Sequence, residues 1–195
     1  MIDSLVEKIK GFLFSPGEAF QKAKADETGN VFTYFAILVV INAVLSAIIA
    51  AIWTSMTPMY AHVLGGAAVP ILVFFIVLVA EIIITLVFGA WLHLWVWVLG
   101  GRKGIMQSIK SVIYGSTPRL LLGWIPFIGI IFLIWSLILW VLGIRDLQEM
   151  STGKAILAVA IAVIIPLIVI LLLAAYFMTS YMMTTETLTA PTNFL

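Results

Sequence analysis

The sequence predicts an all-α integral membrane protein, a helical bundle of five transmembrane helices with a short amphipathic cytoplasmic segment at the N-terminus. Composition is the first reason, because 64% of the 195 residues are hydrophobic and only 10% are charged. A mean hydropathy of +1.22 indicates more apolar surface than a soluble domain of this length buries. The other two reasons are a series of long apolar runs and the placement of Lys and Arg between them.

The apolar runs give the predicted domain organisation. The first, second and fifth runs contain about 20 or more residues, which at ~1.5 Å per residue cross a ~30 Å hydrocarbon core. The five predicted spans are residues 31–53, 69–99, 105–123, 126–143 and 155–178. Residues 1–30 are then a cytoplasmic segment, residues 31–178 are the transmembrane domain, and residues 179–195 are a polar extracytoplasmic tail.

The basic residues predict the orientation. Cytoplasmic loops carry an excess of Lys and Arg. Five spans with the N-terminus inside and the C-terminus outside put nine of the ten basic residues on the cytoplasmic side, with Lys110 at the start of span three, and the tenth, Arg119, lies deep inside that span. The nine are Lys8, Lys10, Lys22, Lys24, Arg102, Lys103, Lys110, Arg145 and Lys154.

The first thirty residues predict two short helices. Apolar residues from Ile2 to Leu13 recur with a 3.6-residue period, so this helix either lies in the lipid headgroup layer or packs on the inner rim of the protein. Ser15 and Glu18 have the spacing of a capping box around Pro16, which predicts a second helix from Pro16 to about Ala25. Residues 28–30 are predicted to separate this second helix from span one.

The third span is the most polar of the five. Pro118 has no N–H to donate, and its ring clashes with the carbonyl of Tyr114, so a kink or broken turn is predicted between these two residues. The polar side chains of this span predict that other helices surround it or that it is partly re-entrant. The short uncharged link at residues 123–126 predicts a tight helical hairpin with span four.

An ordered set of motifs resembles the prokaryotic branch of the Yip family, from about Phe14 to Met178. The motifs are Phe14-Ser15-Pro16 with Phe20, Gly100-Gly101 with Lys103-Gly104, Tyr114-x-x-x-Pro118, Gly123-Trp124-Ile125-Pro126-Phe127-Ile128-Gly129, Trp135, Gly143 and Ser151-x-Gly153-Lys154-Ala155. The resemblance implies a five-span protein with a cytoplasmic N-terminus, here in a prokaryotic cell membrane. One departure is Leu147-Gln148-Glu149, where the family pattern leads us to expect a His.

The family resemblance also bears on partners. The family is named for interaction with Ypt/Rab GTPases, and its eukaryotic members act in vesicle traffic. Its prokaryotic members have no settled activity to transfer, and a GTPase partner does not carry over to cells without Rab proteins. The expected partners are the lipid bilayer, other membrane proteins and a second copy of the chain.

Three ionisable or amide side chains inside the spans are the candidate site residues: Glu81, Arg119 and Asn42. Intramembrane ionisable groups are costly, which indicates a purpose. One interpretation is an ion pair between Glu81 and Arg119 that fixes helix register. A second is a polar path through Asn42, Glu81, Ser116 and Arg119 for a proton, an ion or a small solute. A third is a neutral buried Glu81 beside an Arg119 that snorkels outward.

The sequence gives no sign of catalytic, cofactor-binding or metal-binding residues. It contains no Cys, and its two histidines, His62 and His93, are predicted on opposite sides of the membrane. We find no phosphate loop, nucleophile elbow or catalytic carboxylate pair, and a net charge of +1 argues against nucleic acid. We therefore predict a non-enzyme that binds or organises other membrane components, the alternative being a small transporter or channel that uses the polar path.

Overall fold

A computed structural model describes residues 2–57, 66 and 68–189, and the side chains of residues 4–57, 66 and 68–184. These residues form eight α-helices and no strand. The helices are α1 (Ile2–Phe14), α2 (Pro16–Ala23), α3 (Thr28–Met56), α4 (Ala68–Val98), α5 (Ile105–Gly115), α6 (Thr117–Leu122), α7 (Gly129–Leu147) and α8 (Thr152–Thr189). The predicted outer-loop residue His62 and the last six residues of the predicted tail lie outside the described residues.

Four of the described helices are long and apolar enough to cross a membrane: α3, α4, α7 and α8. They correspond to predicted spans one, two, four and five, and they make the protein a multi-pass integral membrane protein. Helix α8 continues to Thr189, well past the apolar end predicted at Met178. Hydropathy marks where apolar residues stop, but no Gly or Pro follows until Pro191 to end the helix.

The third predicted span is two helices. Helix α5 has 11 residues and α6 has six, and Ser116 separates them. Neither helix is long enough to cross a ~30 Å hydrocarbon core alone. The prediction of five spans is therefore not confirmed by helix length.

The α5–α6 segment nevertheless runs antiparallel along the whole of α7. Contacts pair Gly104 with Gln148, Ser111 with Gly143, Gly115 with Trp140 and Arg119 with Ser136. Because α7 is itself a candidate span, the two halves of this hairpin occupy the same depth. Helices α3 and α4 also pack on the segment, which buries most of α5.

The N-terminal helices pack on the bundle as an antiparallel pair. Phe12 is 1% exposed and Phe20 is fully buried, and the Phe20 ring lies against Gly143 of α7. The predicted capping box is wrong, because Ser15 makes no side-chain cap hydrogen bond. The predicted break at residues 28–30 is also wrong, since α3 begins at Thr28 and the chain turns at residues 24–27.

One end of the bundle, which we call the basic end, gathers the charged side chains. It comprises α1 and α2, the end of α4, the start of α5, the end of α7 and the start of α8. Ion pairs across it join Lys24 and Lys103 to Glu149, and Lys8 to Asp26. Lys154 lies beside Gly100 at the same end.

Gly115 sets the distance between α5 and α7. A Cβ at this position would overlap the Trp140 ring and lie 3.1 Å from the Trp140 backbone nitrogen. Because backbone cannot move aside as a flexible side chain does, Gly115→Ala should push the helices apart and lower the free energy of unfolding by ~1–3 kcal/mol. Thermal or denaturant unfolding in detergent measures the loss.

The matched control is Gly153→Ala, whose added Cβ has no atom within 4 Å. It should unfold within ~0.5 kcal/mol of the parent. Equal stability of the two variants would show that the close approach of α5 to α7 is not a constraint on the fold.

Candidate functional site

A polar centre lies near the middle of the candidate spans. It is formed by the three residues singled out from the sequence, Asn42 on α3, Glu81 on α4 and Arg119 on α6. Asn42 and Glu81 fall near the midpoints of their helices, and α7 contributes Ser136 at the same level. Four elements therefore meet at one depth through polar contacts.

Arg119 and Glu81 form a bidentate ion pair. Nη1 donates to Oε1 at 2.7 Å and Nη2 donates to Oε2 at 2.8 Å. Both side chains are mostly enclosed, with 21% of Arg119 and 17% of Glu81 exposed. Parallel hydrogen bonds between a guanidinium and a carboxylate are the strong form of such pairs because they fix geometry as well as charge. Each group thus supplies the counter-charge that the other requires at this depth.

Asn42 ties α3 to α6 at the same depth. Its Nδ2 donates to the Leu120 carbonyl at 2.8 Å, and its side chain is 6% exposed. Ser136 on α7 accepts from the Arg119 backbone N–H at 3.2 Å. Backbone groups that the short helix α6 leaves open are therefore satisfied by side chains of its neighbours, as a low-dielectric surrounding requires.

The interruption at Ser116 falls inside the segment where Tyr114 and Pro118 predicted a kink. Pro118 lies in the first turn of α6, and the Tyr114 carbonyl accepts a hydrogen bond from the Thr117 hydroxyl at 2.7 Å. Trp140 Nε1 donates to the Val112 carbonyl at 3.2 Å and to Ser116 Oγ at 3.3 Å. Ser116 is thus engaged by α7 and does not contact the polar centre.

A second cluster, which we call the Asp26 hub, joins the N-terminal helices to the bundle. The Asp26 carboxylate accepts hydrogen bonds from Lys8 Nζ at 2.7 Å and from the Tyr114 hydroxyl. The Asp26 backbone carbonyl accepts one from Lys110 Nζ. One residue of the α2–α3 turn therefore binds α1 and, through two residues, α5.

Aromatic stacking continues from the hub into the bundle. The Phe12 and Tyr114 rings are stacked, with centroids 4.6 Å apart and planes 15° apart. Tyr34 of α3 packs against Tyr114 at 5.2 Å, and its hydroxyl lies 2.8 Å from Thr117 Oγ1. Tyr114 is fully buried. The kink residue predicted from sequence is therefore also where α1, α3 and α5 meet.

Gln148 stands where the family pattern led us to expect a His, and it bridges two turns. Its Nε2 donates to the Gly104 carbonyl at 2.8 Å and to Ser108 Oγ at 3.0 Å, and its Oε1 accepts from the Lys103 backbone N–H at 3.0 Å. The side chain uses its amide donor and acceptor and is 3% exposed. A buried amide with these partners holds the end of α7 to the start of α5.

Glu149, the next residue, carries the charge at this junction. Its carboxylate pairs with Lys103 and, at 3.7 Å, with Lys24. The Lys103 hydrogen bond and charge lower the pKa of the Glu149 carboxyl, and Lys24 adds to the effect. Because this pKa is lowered, the ion pairs of Glu149 with Lys103 and Lys24 are present at neutral pH and are lost as the pH falls through that pKa.

Sequence reasoning missed Asp26 and the structural role of Gln148. Neither stands out by hydropathy or by a motif of known chemistry, and the only signal was that Asp26 is the last acidic residue but one before span one. His93, which we set aside as a ligand, lies 3.0 Å from Ser108 Oγ. Among the described residues no group of three metal-ligating side chains is close enough to hold an ion.

Comparison with known protein families identifies the family of this chain. A family model of the Yip1 domain matches residues 10–185, which is nearly the whole chain. The chain belongs to the Yip family. Searches of curated proteins and of solved structures found no match. The Yip family is not known as an enzymatic family.

The ion pair of this Yip protein gives a quantitative prediction. Removing one partner of a buried pair costs ~3–5 kcal/mol, because the other charge is left unpaired. The loss should be smaller here, since the side chains keep some exposure and a stranded Glu can take up a proton. We expect Glu81→Gln and Arg119→Gln each to destabilise, and the double variant to lose less than the sum.

The measurement is a double-mutant cycle on unfolding in detergent or bilayer. Glu81→Gln combined with Ser136→Ala is the control cycle, because Ser136 binds the Arg119 backbone and not its guanidinium. The control should be additive. Additivity in both cycles would mean that the Glu81–Arg119 contact contributes no coupling.

Proposed function

We propose that this Yip protein binds or organises other membrane components through its cytoplasmic N-terminal helices and its helix interfaces. The supporting observation is that α1 and α2 are integral to the fold yet keep a polar outer face. Their inner face provides Phe12 and Phe20 to the core, and the Asp26 hub holds the far end. Because these contacts fix α1 and α2 on the bundle, their outer face is a preformed surface for a partner.

The outer face of α1 and α2 contains a groove of about 510 Å³. Lys10 and Glu18 line it, both exposed and both without a charged partner among the described residues. Lys22 and Glu7, also in the lining, are 3.9 Å apart and about four-fifths exposed. A groove that carries both positive and negative side chains favours a partner protein with opposite charges at matching positions, because complementary charge gives specificity.

We further propose five spans with the N-terminus in the cytoplasm, the C-terminus outside and a prokaryotic cell membrane as the location. The clustering of basic residues at one end supports this orientation through the excess of positive charge in cytoplasmic loops. The antiparallel register of α5–α6 with α7 supports a third, broken span. Neighbouring helices satisfy the interrupted backbone, which is the condition for irregular backbone at membrane depth.

The polar centre offers less support for the alternative, a small transporter or channel. Glu81 and Arg119 bind each other through both carboxylate oxygens, and Asn42 binds the α6 backbone. Ser116 is turned to Trp140. The cavities at the N-terminal helices and on the outer surfaces of α3, α4 and α7 include none of these four residues. These contacts hold helices together and engage the polar groups that a solute path would use.

The binding proposal is tested by a pull-down from native membranes. Deleting residues 1–30 would remove Phe12 and Phe20 from the core, so it would test folding and binding together. The better variant is Lys10→Ala with Glu18→Ala, which preserves net charge and changes only the groove. We expect specific partners to lose at least tenfold in recovery.

Glu27→Ala is the control, because Glu27 is also exposed and lies outside the groove. It should recover the same proteins as the parent. Unchanged recovery with the groove variant would contradict binding through this surface. Solute flux in reconstituted vesicles that disappears in Glu81→Gln would favour the transporter.

The orientation is tested by single cysteines in this Cys-free chain. Cysteines at Phe127 and Thr184 should react with an impermeant outside reagent, and a cysteine at Gly153 should not. Gly101 is unsuitable because a Cβ there would overlap Val96. Phe127 is 92% exposed in the α6–α7 turn, so its labelling reports whether that turn reaches the outside.

The three positions separate the possible topologies. Labelling of Thr184 without Phe127 would mean three full spans and a re-entrant hairpin. Labelling of Gly153 without Thr184 would reverse the orientation of α8. Permeabilised cells, in which all three positions should react, control for the accessibility of each thiol.

A further inference from the structure

Two cations at the turn after α4 have no acidic partner among the residues that the structure describes. Arg102 Nη1 donates to the Trp97 carbonyl and, at 2.9 Å, to the Gly101 carbonyl. Lys154 Nζ lies 3.6 Å from the position of a Cβ on Gly100. The other lysines of this junction are committed, since Lys24 and Lys103 share Glu149. An excess of positive charge therefore surrounds residues 100–101.

This pair of cations lies at the edge of the apolar surface. The Arg102 guanidinium is 4.9 Å from the centroid of the Trp97 ring, and Trp97 is 55% exposed. Val98, the last residue of the candidate span α4, is 58% exposed. Tryptophan rings concentrate at the membrane interface. The two cations are thus at the depth of lipid headgroups.

The backbone at Gly100 lets Lys154 approach the turn that carries Arg102. Gly100 has φ +102°, a conformation that residues with a Cβ rarely adopt, and Lys154 Nζ occupies the space beside it. A Cβ added at Gly153, the residue before Lys154, would meet no atom within 4 Å. Lys154 is itself exposed, so a headgroup can reach it without displacing protein atoms.

We propose that Arg102 and Lys154 bind the phosphate of an anionic phospholipid in the leaflet at the basic end. With Nη1 on the two carbonyls, the edge of the Arg102 guanidinium that carries Nε and Nη2 fits two phosphate oxygens, and the Lys154 ammonium adds a point charge. The acyl chains of the same lipid would lie on the exposed surface of Leu94 and Val98. A lipid phosphate satisfies both the charge and the apolar edge, whereas free phosphate satisfies only the charge.

The test uses the full chain in nanodiscs that contain phosphatidylcholine with increasing phosphatidylglycerol. Occupancy is read by native mass spectrometry of retained lipid. The variant is Arg102→Gln with Lys154→Gln, and the control is Lys10→Gln with Lys22→Gln, which loses the same charge from α1 and α2. The variant removes two direct contacts between a cation and the phosphate, so it should lose roughly 10- to 30-fold in preference for phosphatidylglycerol. The control should lose less than about threefold.

Other outcomes are decisive as well. Equal losses in the two double variants would overturn a specific site and indicate attraction by the whole basic end. Competition by millimolar inorganic phosphate as strong as that of the lipid would assign the site to free phosphate. Arg102→Lys keeps the charge but not the fork, so an affinity equal to that of the parent would exclude bidentate binding.

The lipid site and the N-terminal groove use different residues. Loss of lipid preference in the Arg102 and Lys154 variant with normal partner recovery supports the lipid site alone. Loss of partners in the groove variant with normal lipid preference supports the groove alone. Each proposal can therefore fail without the other.

Discussion

The fold depends on one constraint, which is that the interrupted segment of residues 105–122 must satisfy its polar groups within the bundle. After Ser116 the α-helical hydrogen-bond ladder is interrupted, because Pro118 has no N–H and the Arg119 N–H binds Ser136 Oγ, and at membrane depth the freed backbone groups need protein partners. Thr117, Trp140, Asn42 and Ser136 each provide a hydrogen bond to this stretch. The interrupted segment therefore needs the surrounding helices as hydrogen-bond partners.

This constraint also explains the close packing of the hairpin. Side chains of α3 and α7 reach the α5–α6 backbone only if the helices approach closely, and Gly115 and Gly143 permit that approach. The ion pair then fixes α4 against α6 at one depth, while the Asp26 hub fixes the N-terminal helices near the basic end. Two polar levels, one in the middle and one at the end, determine how the helices are arranged.

The sequence predicted the features that follow from apolar periodicity and from the free-energy cost of a charge inside a membrane. Long apolar runs predicted five spans, of which four correspond to helices long enough to cross a membrane, and the cost of an unpaired charge drew attention to Glu81 and Arg119. The Tyr114–Pro118 spacing indicated the stretch where the helix is interrupted. These patterns either lie within a short stretch of sequence or involve charges that are too costly to leave unpaired inside a membrane.

The rest depends on contacts between distant residues. Asp26 binds Tyr114 across 88 positions, and Gln148 binds Ser108 across 40. Nothing in either residue type indicates those partners. The capping-box pattern at Ser15 and Glu18 failed for a related reason, because the packing of Phe12 and Phe20 sets the α1–α2 turn and leaves Ser15 exposed without its cap bond.

The position of Phe20 against Gly143 has a consequence for biosynthesis. The N-terminal helices leave the ribosome first, but their binding surface on α7 is made more than a hundred residues later. Until then the surface of α7 that covers Phe20 is absent, and an amphipathic helix with an uncovered apolar face favours the headgroup layer. We therefore expect α1 and α2 to rest first on the membrane surface and to dock on the bundle once the hairpin α5–α7 is complete.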